Sequence, residues 1–561
     1  MHSVNIILPA PIAKARRTCY NFTCAKFHHR KGNNFMPSEK YYITTAIPYA
    51  TQKPHIGNCY DHVAADMLAR WKRMQGYDVW FLAGIDEHGE KVETKAAQEG
   101  ITPQQFADRI TAGMQSVLRS VDVQYDQFIR TTDDYHEAAV AAAFQKLYDQ
   151  GDIYKSEYEG NYCTPCESFW TPSQLVDGKC PDCGRPVALA KEEAYFLRQS
   201  KYQAWLEQYY AEHPDFIVPI SRKNEMLNTF IKPGLQDLCV TRSTITWGVP
   251  VPFDPKHVVY VWIDALSNYA TAVGFNAAEN SDQYRKYWPA DLHVIGKDIC
   301  RFHVITWPIL LHALGEPQPK RVFAHPWLLF GQDKMSKSRG NVIYADELAE
   351  LIGGDAVRYY MLVEMPLAVD GSITREAVLE RCNSDLANIL GNLVNRTLAM
   401  TNKYFGGVIP APGAPAALEL GLQALALETV ERTATALEEC RIADAIETIL
   451  ALAKRLNKYI DETLPWALAK DESKREYLGT VLYHLLEGIR YLAALFAPSM
   501  PATAESILRQ LQPTRDAAQT LREIWPTLGV FGGLPSGEKV TETPTPLFAR
   551  IDTEKVLQAN E

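Results

Sequence analysis

In 52-QKPHIGNCYDH-62, His55 and Asn58 stand where a β-branched run gives way to helical spacing, and each can donate a hydrogen bond to a phosphoryl oxygen. The first turn of a helix that follows a strand already points backbone N–H groups and the positive end of the dipole at an anion. Far along the chain, 334-KMSKS-338 sets Lys334 and Lys337 three apart among small residues and before Gly340. Such a loop can lay ammonium groups on a departing pyrophosphate. Alone, each motif has a plain reading, as a histidine satisfied in a turn or as a solvated basic loop. Together, each beside one half of an α/β pattern, they favour nucleotide chemistry in which developing phosphate charge meets fixed donors.

A second constellation is Cys163, Cys166, Cys180 and Cys183, two Cys-x-x-Cys pairs separated by thirteen residues. Each pair places two thiolates on one turn, and the chain between them is long enough to close a tetrahedron around one zinc. With all four positions filled by sulfur no place remains for a reactive water, so the ion is expected to be structural. A redox pair or a chance clustering of cysteines is the rival.

These residues need a frame. The run 41–47, YYITTAI, reads as a strand, 55–76 as a helix with Gly76 as its stop, and 78–84 as a buried strand. The grammar returns at 258–262, 292–295 and 322–324, read as strands, and at 299–315, read as a helix. Between them 151–246 is rich in Tyr, Cys, Gly and Pro with few helical periods, and reads as an insertion within one nucleotide-binding fold. After about residue 372 the strands cease, and 416–460 is Ala/Leu/Glu-rich with helical period, the pattern of a helix bundle. The segment 532–552 is rich in Pro, Gly and Thr and is expected to wrap over the surface.

At 561 residues the chain exceeds one ordinary core, and 47% hydrophobic with 22% charged residues suits a globular protein with no run long enough to span a membrane. A net charge of −10 argues against coating nucleic acid by bulk positive charge, although a local basic face could hold a structured RNA. Eleven cysteines, an odd number, argue against a disulfide framework and for a reducing compartment. Residues 1–35 carry Lys14, Arg16, Arg17, Lys26, Arg30 and Lys31 and no acid. That leader reads first as an upstream start or a disordered tail, with Met36 opening the folded protein. An organellar transit peptide is the alternative. The expected location is cytoplasmic.

The paired motifs resemble the HIGH and KMSKS signatures of class I aminoacyl-tRNA synthetases, with Asn58 in place of the second histidine. The runs AIPYA, GIDEHG, YVWIDALSNY, IGKDICRFH and LGNLVNR narrow the resemblance, from Lys40 to Asp552, to the methionyl family, and the single four-cysteine knuckle suits a bacterial branch. The resemblance implies ligation of methionine to tRNA(Met) through methionyl-adenylate, with ATP, accompanied by Mg2+, as substrate. It implies that His55, Gly57, Asn58, Gly296, Asp298 and Lys337 contact ATP, with His55, Asn58, Lys334 and Lys337 serving catalysis. Ile47, Tyr49, Val261, Trp262, Ala265, Leu266, Tyr269, Ile299 and His303 would line the methionine pocket, and Asp86 would pair with the ammonium. Asp298 could instead cap the helix near Ile299. Asn388, Asn392 and Arg396, four apart on one helix face, and Trp466 would read the anticodon.

The fold expected is an α/β, Rossmann-type parallel-sheet catalytic domain split by the zinc-knuckle insertion and followed by an all-α anticodon-binding bundle. In residue terms this means an extension (1–35), a first catalytic half (36–133), the insertion (134–249), a second half (250–324), the KMSKS and stem-contact region (325–371), the bundle (372–525) and a wrapping peptide (526–561). With no dimerising module after Asp552, the expected state is a monomer. Homocysteine, one methylene shorter, is an expected competitor to be edited. The rival readings are a class I enzyme for cysteine or leucine and a tRNA-binding scaffold that has lost activity.

Overall fold

The computed structural model describes residues 39–163, 168–170, 175–181, 184–331, 342–364 and 366–558. Six strands rich in β-branched and aromatic residues form the central sheet: β1 (Lys40–Thr45), β2 (Asp78–Ile85), β3 (Gln127–Arg130), β4 (Ile217–Val218), β5 (Leu292–Gly296) and β6 (Val322–His325). Their spatial order is β3-β2-β1-β5-β6-β4 and every neighbouring pair is parallel. Alternate side chains feed two cores: Ile43, Phe81, Val294 and Phe323 enter one, while Tyr42, Leu82, Ile295, Val322 and Ala324 enter the other. Both faces are therefore covered, as a parallel sheet requires. A Cβ on Gly84 would come within 2.6 Å of Ile129 and 2.9 Å of Ile47, so only glycine lets β2 lie this close to β3 and to the segment after β1.

Helix α1 (Tyr60–Met74) links β1 to β2, whereas β5 pairs with the other side of β1 across a sequence separation of about 250 residues, Ile43 opposite Leu292. The direction of strand addition reverses at β1 and β5, and the crevice beyond their carboxyl ends is where such sheets bind ligands.

Two expectations need correction. Of 258–262 only Val258–Val259 is strand, and helix α2 (Val261–Thr271) begins at once behind an extended Tyr260. Ile263, Leu266, Tyr269, Ala270 and Val273 then recur at helical spacing and are all buried, which outweighs a short run of β-formers. The helix expected over 299–315 is helical throughout but not regular. Lys297–Ile299 is a tight turn, Phe302–Thr306 is widened to π geometry, and Trp307–Leu314 is α. Pro308 has no N–H for the Val304 carbonyl and would crowd it. That carbonyl instead accepts from the Tyr210 hydroxyl.

The inserted segment forms a four-stranded sheet whose long antiparallel pair, Ile153–Cys163 and Ala188–Leu197, runs in register from Ile153 opposite Leu197 to Tyr162 opposite Ala188. It carries more helix than its sequence suggests, Gln203–Glu212 and Ile220–Met226, and it returns β4 to the central sheet.

After Ile373 helices dominate. The long Ala/Leu/Glu stretch is two helices, Ala417–Glu438 and Ile442–Thr463, reversed at Cys440 with φ +59. Arg358, fully buried, ties this part to the sheet: it pairs with Asp66 of α1 at 2.7 Å and donates to the carbonyls of Val121, Pro498 and Ser499 at 3.0, 2.9 and 2.8 Å. The C-terminal peptide is bonded to the helices. Glu487 accepts from the N–H groups of Gly532, Gly533 and Leu534, and Ile551 N donates to Asn383.

Candidate active site

Beyond β1 the chain turns through Ile47, Pro48 and Tyr49 and is stitched to the end of β2, with Asp86 N donating to Pro48 O at 2.9 Å and Ala50 N to Asp86 O at 2.7 Å. Asp86, 4% exposed, thus faces the turn that follows β1. A tight turn over Ile56–Asn58 leads into α1, and the Asn58 carboxamide oxygen accepts from His55 N at 3.2 Å. This bond fixes the amide so that its NH2 end remains as the donor. Burial holds His55 down to about 4, so its ring is neutral.

These groups line one cleft of about 550 Å3. Ile47, Tyr49, His55, Gly57, Asn58, Asp86, Trp262, Ala265, Leu266, Tyr269, Gly296, Asp298, Ile299 and His303 all contribute to its wall, so the structure brings together fourteen of the residues singled out from sequence. Val261 opens α2, with its side chain outside the described residues. Lys334 and Lys337 also lie outside them, but the segments on either side reach the cleft. Leu328 and Leu329 line it, and Ile56 N donates to Ile343 O at 2.9 Å. Asp298 does not cap a helix: its carboxylate accepts from Trp327 Nε1 at 3.2 Å and lies 2.6 Å from where a Cβ on Gly296 would stand.

One wall is apolar with a single polar pair. His303 Nδ1 meets the Ile299 carbonyl at 2.9 Å and must donate to it, which leaves Nε2 to accept from the Tyr269 hydroxyl at 2.7 Å. Burial brings His303 down to about 4 despite that carbonyl, so the pair stays neutral. Tyr269→Phe leaves Nε2 buried without a donor and is expected to lower stability by about 1–3 kcal/mol in urea melts. An unchanged midpoint would count against the bond.

Sequence reasoning missed what holds this wall against the Asp86 loop. Glu87 is fully buried and accepts from Arg130 Nε at 2.9 Å and from the hydroxyls of Thr111 and Thr132. His88 Nδ1 and His136 Nε2 bracket the Asp264 carboxylate at 2.6 and 2.7 Å, all three buried. Burial disfavours the His88 cation, but Asp264, with Glu137 and Asp86, overcomes this and lifts it to about 10. Burial likewise disfavours the Asp264 anion, and the two histidines bring it down to about 2. The available signal was a pair of carboxylates directly after the apolar run 79–85 and another inside VWIDAL, since a buried charge needs a partner. Lys91 and Arg185 also line the cleft, and nothing in the sequence marked them.

In the knuckle, Cys163 and Cys180 are buried in one cluster with Trp170, while Cys166 and Cys183 lie outside the described residues. The chain folds back after Cys180 through Gly184, φ +68, with Gly184 N donating to Cys180 O at 2.8 Å and Cys180 N to Arg185 O at 3.0 Å. Two enclosed thiols, Cys163 at a strand end and Cys180 at a tight turn, suit a soft cation. Elsewhere among the described residues, Glu193, Asp254 and His257 converge, but Lys155 at 2.7 and 2.9 Å from the two acids already supplies their counter-charge.

Asn388 and Asn392 are exposed, and Arg396 is half-buried with its guanidinium 3.5 Å from Asp461. Trp466, 42% exposed, follows the left-handed Leu464 at the end of that same Ile442–Thr463 helix. The chain thus sets an exposed indole and a polar helix face on neighbouring elements of the bundle.

Comparison with known proteins gives a consistent picture. The family described as tRNA synthetases class I (M) matches residues 41–188 and 184–398, and the family described as the anticodon binding domain of methionyl tRNA ligase matches 409–561. The chain is 54% identical over 522 residues to a methionine–tRNA ligase of Clostridium perfringens, covering 93% of this chain and 80% of that protein. It is 50% identical to the enzyme of the same name from Bacillus subtilis, covering 93% and 79%. Among solved structures, Mycobacterium tuberculosis methionyl-tRNA synthetase in complex with methionyl-adenylate superimposes with a TM-score of 0.85 at 40% identity, covering 91% of this chain and all of that one. Its apo form gives 0.79 at 37% identity.

Proposed function

The chain belongs to the methionyl group of class I tRNA synthetases, and from that membership we infer how this cleft activates methionine with ATP and passes the methionyl group to tRNA. The observation that carries the inference is the convergence, at the switch point of the sheet, of a buried carboxylate, an apolar wall with one neutral Tyr–His pair, and the His55–Asn58 turn. Asp86 pairs with the substrate ammonium. The thioether lies against Trp262, Ala265, Leu266 and Ile299, with Ile47, Tyr49 and Val261 completing the pocket, because a polarisable sulfur gains from aromatic edges. The Tyr269–His303 pair, its hydroxyl proton committed to Nε2, is the polar group nearest that wall.

Gly296 and Asp298 receive the adenosine ribose, and Gly57, His55 and Asn58 face the phosphates. The methionine carboxylate attacks the α-phosphorus, the new O–P bond forms as the α–β bridging bond breaks, and pyrophosphate leaves with that electron pair. No proton moves in this step. A neutral histidine and an amide NH2 donate to oxygens on which charge accumulates, and Lys334 and Lys337 meet the leaving pyrophosphate, which Mg2+ accompanies. The terminal ribose hydroxyl of the tRNA then attacks the acyl carbon, the bond from that carbon to the phosphate oxygen breaks, and AMP departs with the electron pair and takes up the hydroxyl proton.

Cys163, Cys166, Cys180 and Cys183 hold one zinc, which supplies folding energy to the knuckle and no step of the reaction. Cys180→Ser is expected to lower bound zinc from one equivalent to near none and to unfold the knuckle. Retention of a full equivalent would refute the ligand set.

Asn388, Asn392, Arg396 and Trp466 contact the anticodon, with Trp466 stacking on an unpaired base. Trp466→Ala should lower kcat/KM for tRNA about 10- to 100-fold, the loss of one base–aromatic stack, and leave adenylate formation intact. Equal charging of transcripts with CAU and with altered anticodons would exclude this reading. A monomer in the cytoplasm fits the account, and light scattering at the mass of a dimer would overturn the first of these.

A further inference from the structure

A column of ring contacts runs from the knuckle into the cleft. Trp170, 1% exposed on the strand Ser168–Trp170, shares its cluster with Cys163 and Cys180. The Arg301 guanidinium lies 4.5 Å from the Trp170 ring centre and 4.6 Å from that of Phe302. Phe302 stacks on Trp262 with centroids 3.7 Å apart and planes 8° from parallel, and both rings line the cleft. The guanidinium also lies 5.2 Å from the Phe230 ring centre, and a cation set among three aromatic rings is held by cation–π attraction to each, which a guanidinium makes better than an ammonium. Phe302 also opens the widened π turn forced by Pro308, where the regular helix ladder is lost and side-chain packing must hold the ring in place.

We propose that Trp170 and Arg301 are positioning residues for the amino-acid subsite: through Phe302 they set the plane of Trp262, so that the packing of the knuckle core is read as affinity for methionine and not for ATP. The inference rests on the assignment of this cleft to methionine. It explains why a structural knuckle far along the chain from either signature motif docks here, on the helical segment that carries Phe302 and His303.

The test is methionine-dependent ATP–pyrophosphate exchange with the full chain and its Arg301→Lys, Trp170→Ala and Trp170→Phe variants and the Arg301→Lys/Trp170→Ala double variant, with zinc content measured for each. Arg301→Lys keeps the charge and loses the plane. The expected result is a rise in KM for methionine of roughly tenfold, with the KM for ATP, kcat and zinc content unchanged. Trp170→Ala should act alike, the double variant should go little beyond the larger single effect because the two act in one column, and Trp170→Phe should restore most of the affinity. A methionine KM within twofold of the parent in Arg301→Lys would overturn the proposal, as would a parallel rise in both KM values with loss of zinc, which marks a merely structural knuckle. A parent chain without methionine-dependent exchange would instead sink the assignment of the cleft, and the proposal with it.

Discussion

Asp86→Asn is expected to lower kcat/KM for methionine by about 10²- to 10³-fold while leaving the KM for ATP unchanged, because truncating the charge of an enclosed ion pair costs several kcal/mol. Asp86 is held in the loop by its backbone, through N–H to Pro48 and carbonyl to Ala50, so the bridge between the ends of β1 and β2 survives the change. The asparagine keeps the volume and one acceptor, and loses the charge that an ammonium needs in a site only 4% exposed. A loss confined to methionine, and absent for an analogue lacking the amino group, would place the ammonium at this carboxylate. Activity within threefold of the parent would move it elsewhere.

Asp264→Ala should be the most destabilising change in the catalytic half, by about 3–5 kcal/mol, since it strands a buried imidazolium. In the parent the carboxylate is bracketed by His88 and His136, and the three join the loop bearing Asp86, the helix Asp134–Asp149 and α2. The pH dependence has a definite sign. His88, raised to about 10, contributes stability that is complete below its ordinary value of 6.5 and is lost as pH climbs toward 10. Asp264, depressed to about 2, contributes stability that is complete above its ordinary value of 3.8 and is lost as pH falls toward 2. The pair therefore predicts weakening of the parent above pH 6.5 that His88→Gln removes. Denaturation midpoints collected from pH 6 to 10 decide the matter, and identical slopes for parent and variant would exclude a charged His88.

How much of this was legible depends on how local each signal is. The switch-point residues were readable because a strand, a turn and a helix start follow one another between Lys40 and Tyr60, and a phosphate site at a helix start needs nothing more distant. The cleft wall of α2 was singled out from sequence with its first residues, Val261 and Trp262, placed on a strand, since YVWIDAL has apolar residues at both periods and only burial of Ile263, Leu266 and Tyr269 on one side decides for helix. The two-residue strand Ile217–Val218 left no trace, being too short for alternation to show. The network of His88, His136 and Asp264 joins residues up to 176 positions apart, and no spacing rule reaches that far. The widening before Pro308 follows from one proline, yet its outcome depended on Tyr210 being at hand to receive the released carbonyl.

The central claim is that this cleft makes methionyl-adenylate, and methionine-dependent ATP–pyrophosphate exchange tests it most directly, run on the full chain and on one beginning at Met36, with leucine, cysteine and homocysteine as alternative substrates. The account predicts strong exchange with methionine in both, weaker exchange with homocysteine, and loss of about 10²- to 10³-fold in His55→Ala through removal of a donor to the developing charge. Absence of exchange with every amino acid, or exchange driven better by leucine or cysteine than by methionine, would contradict it.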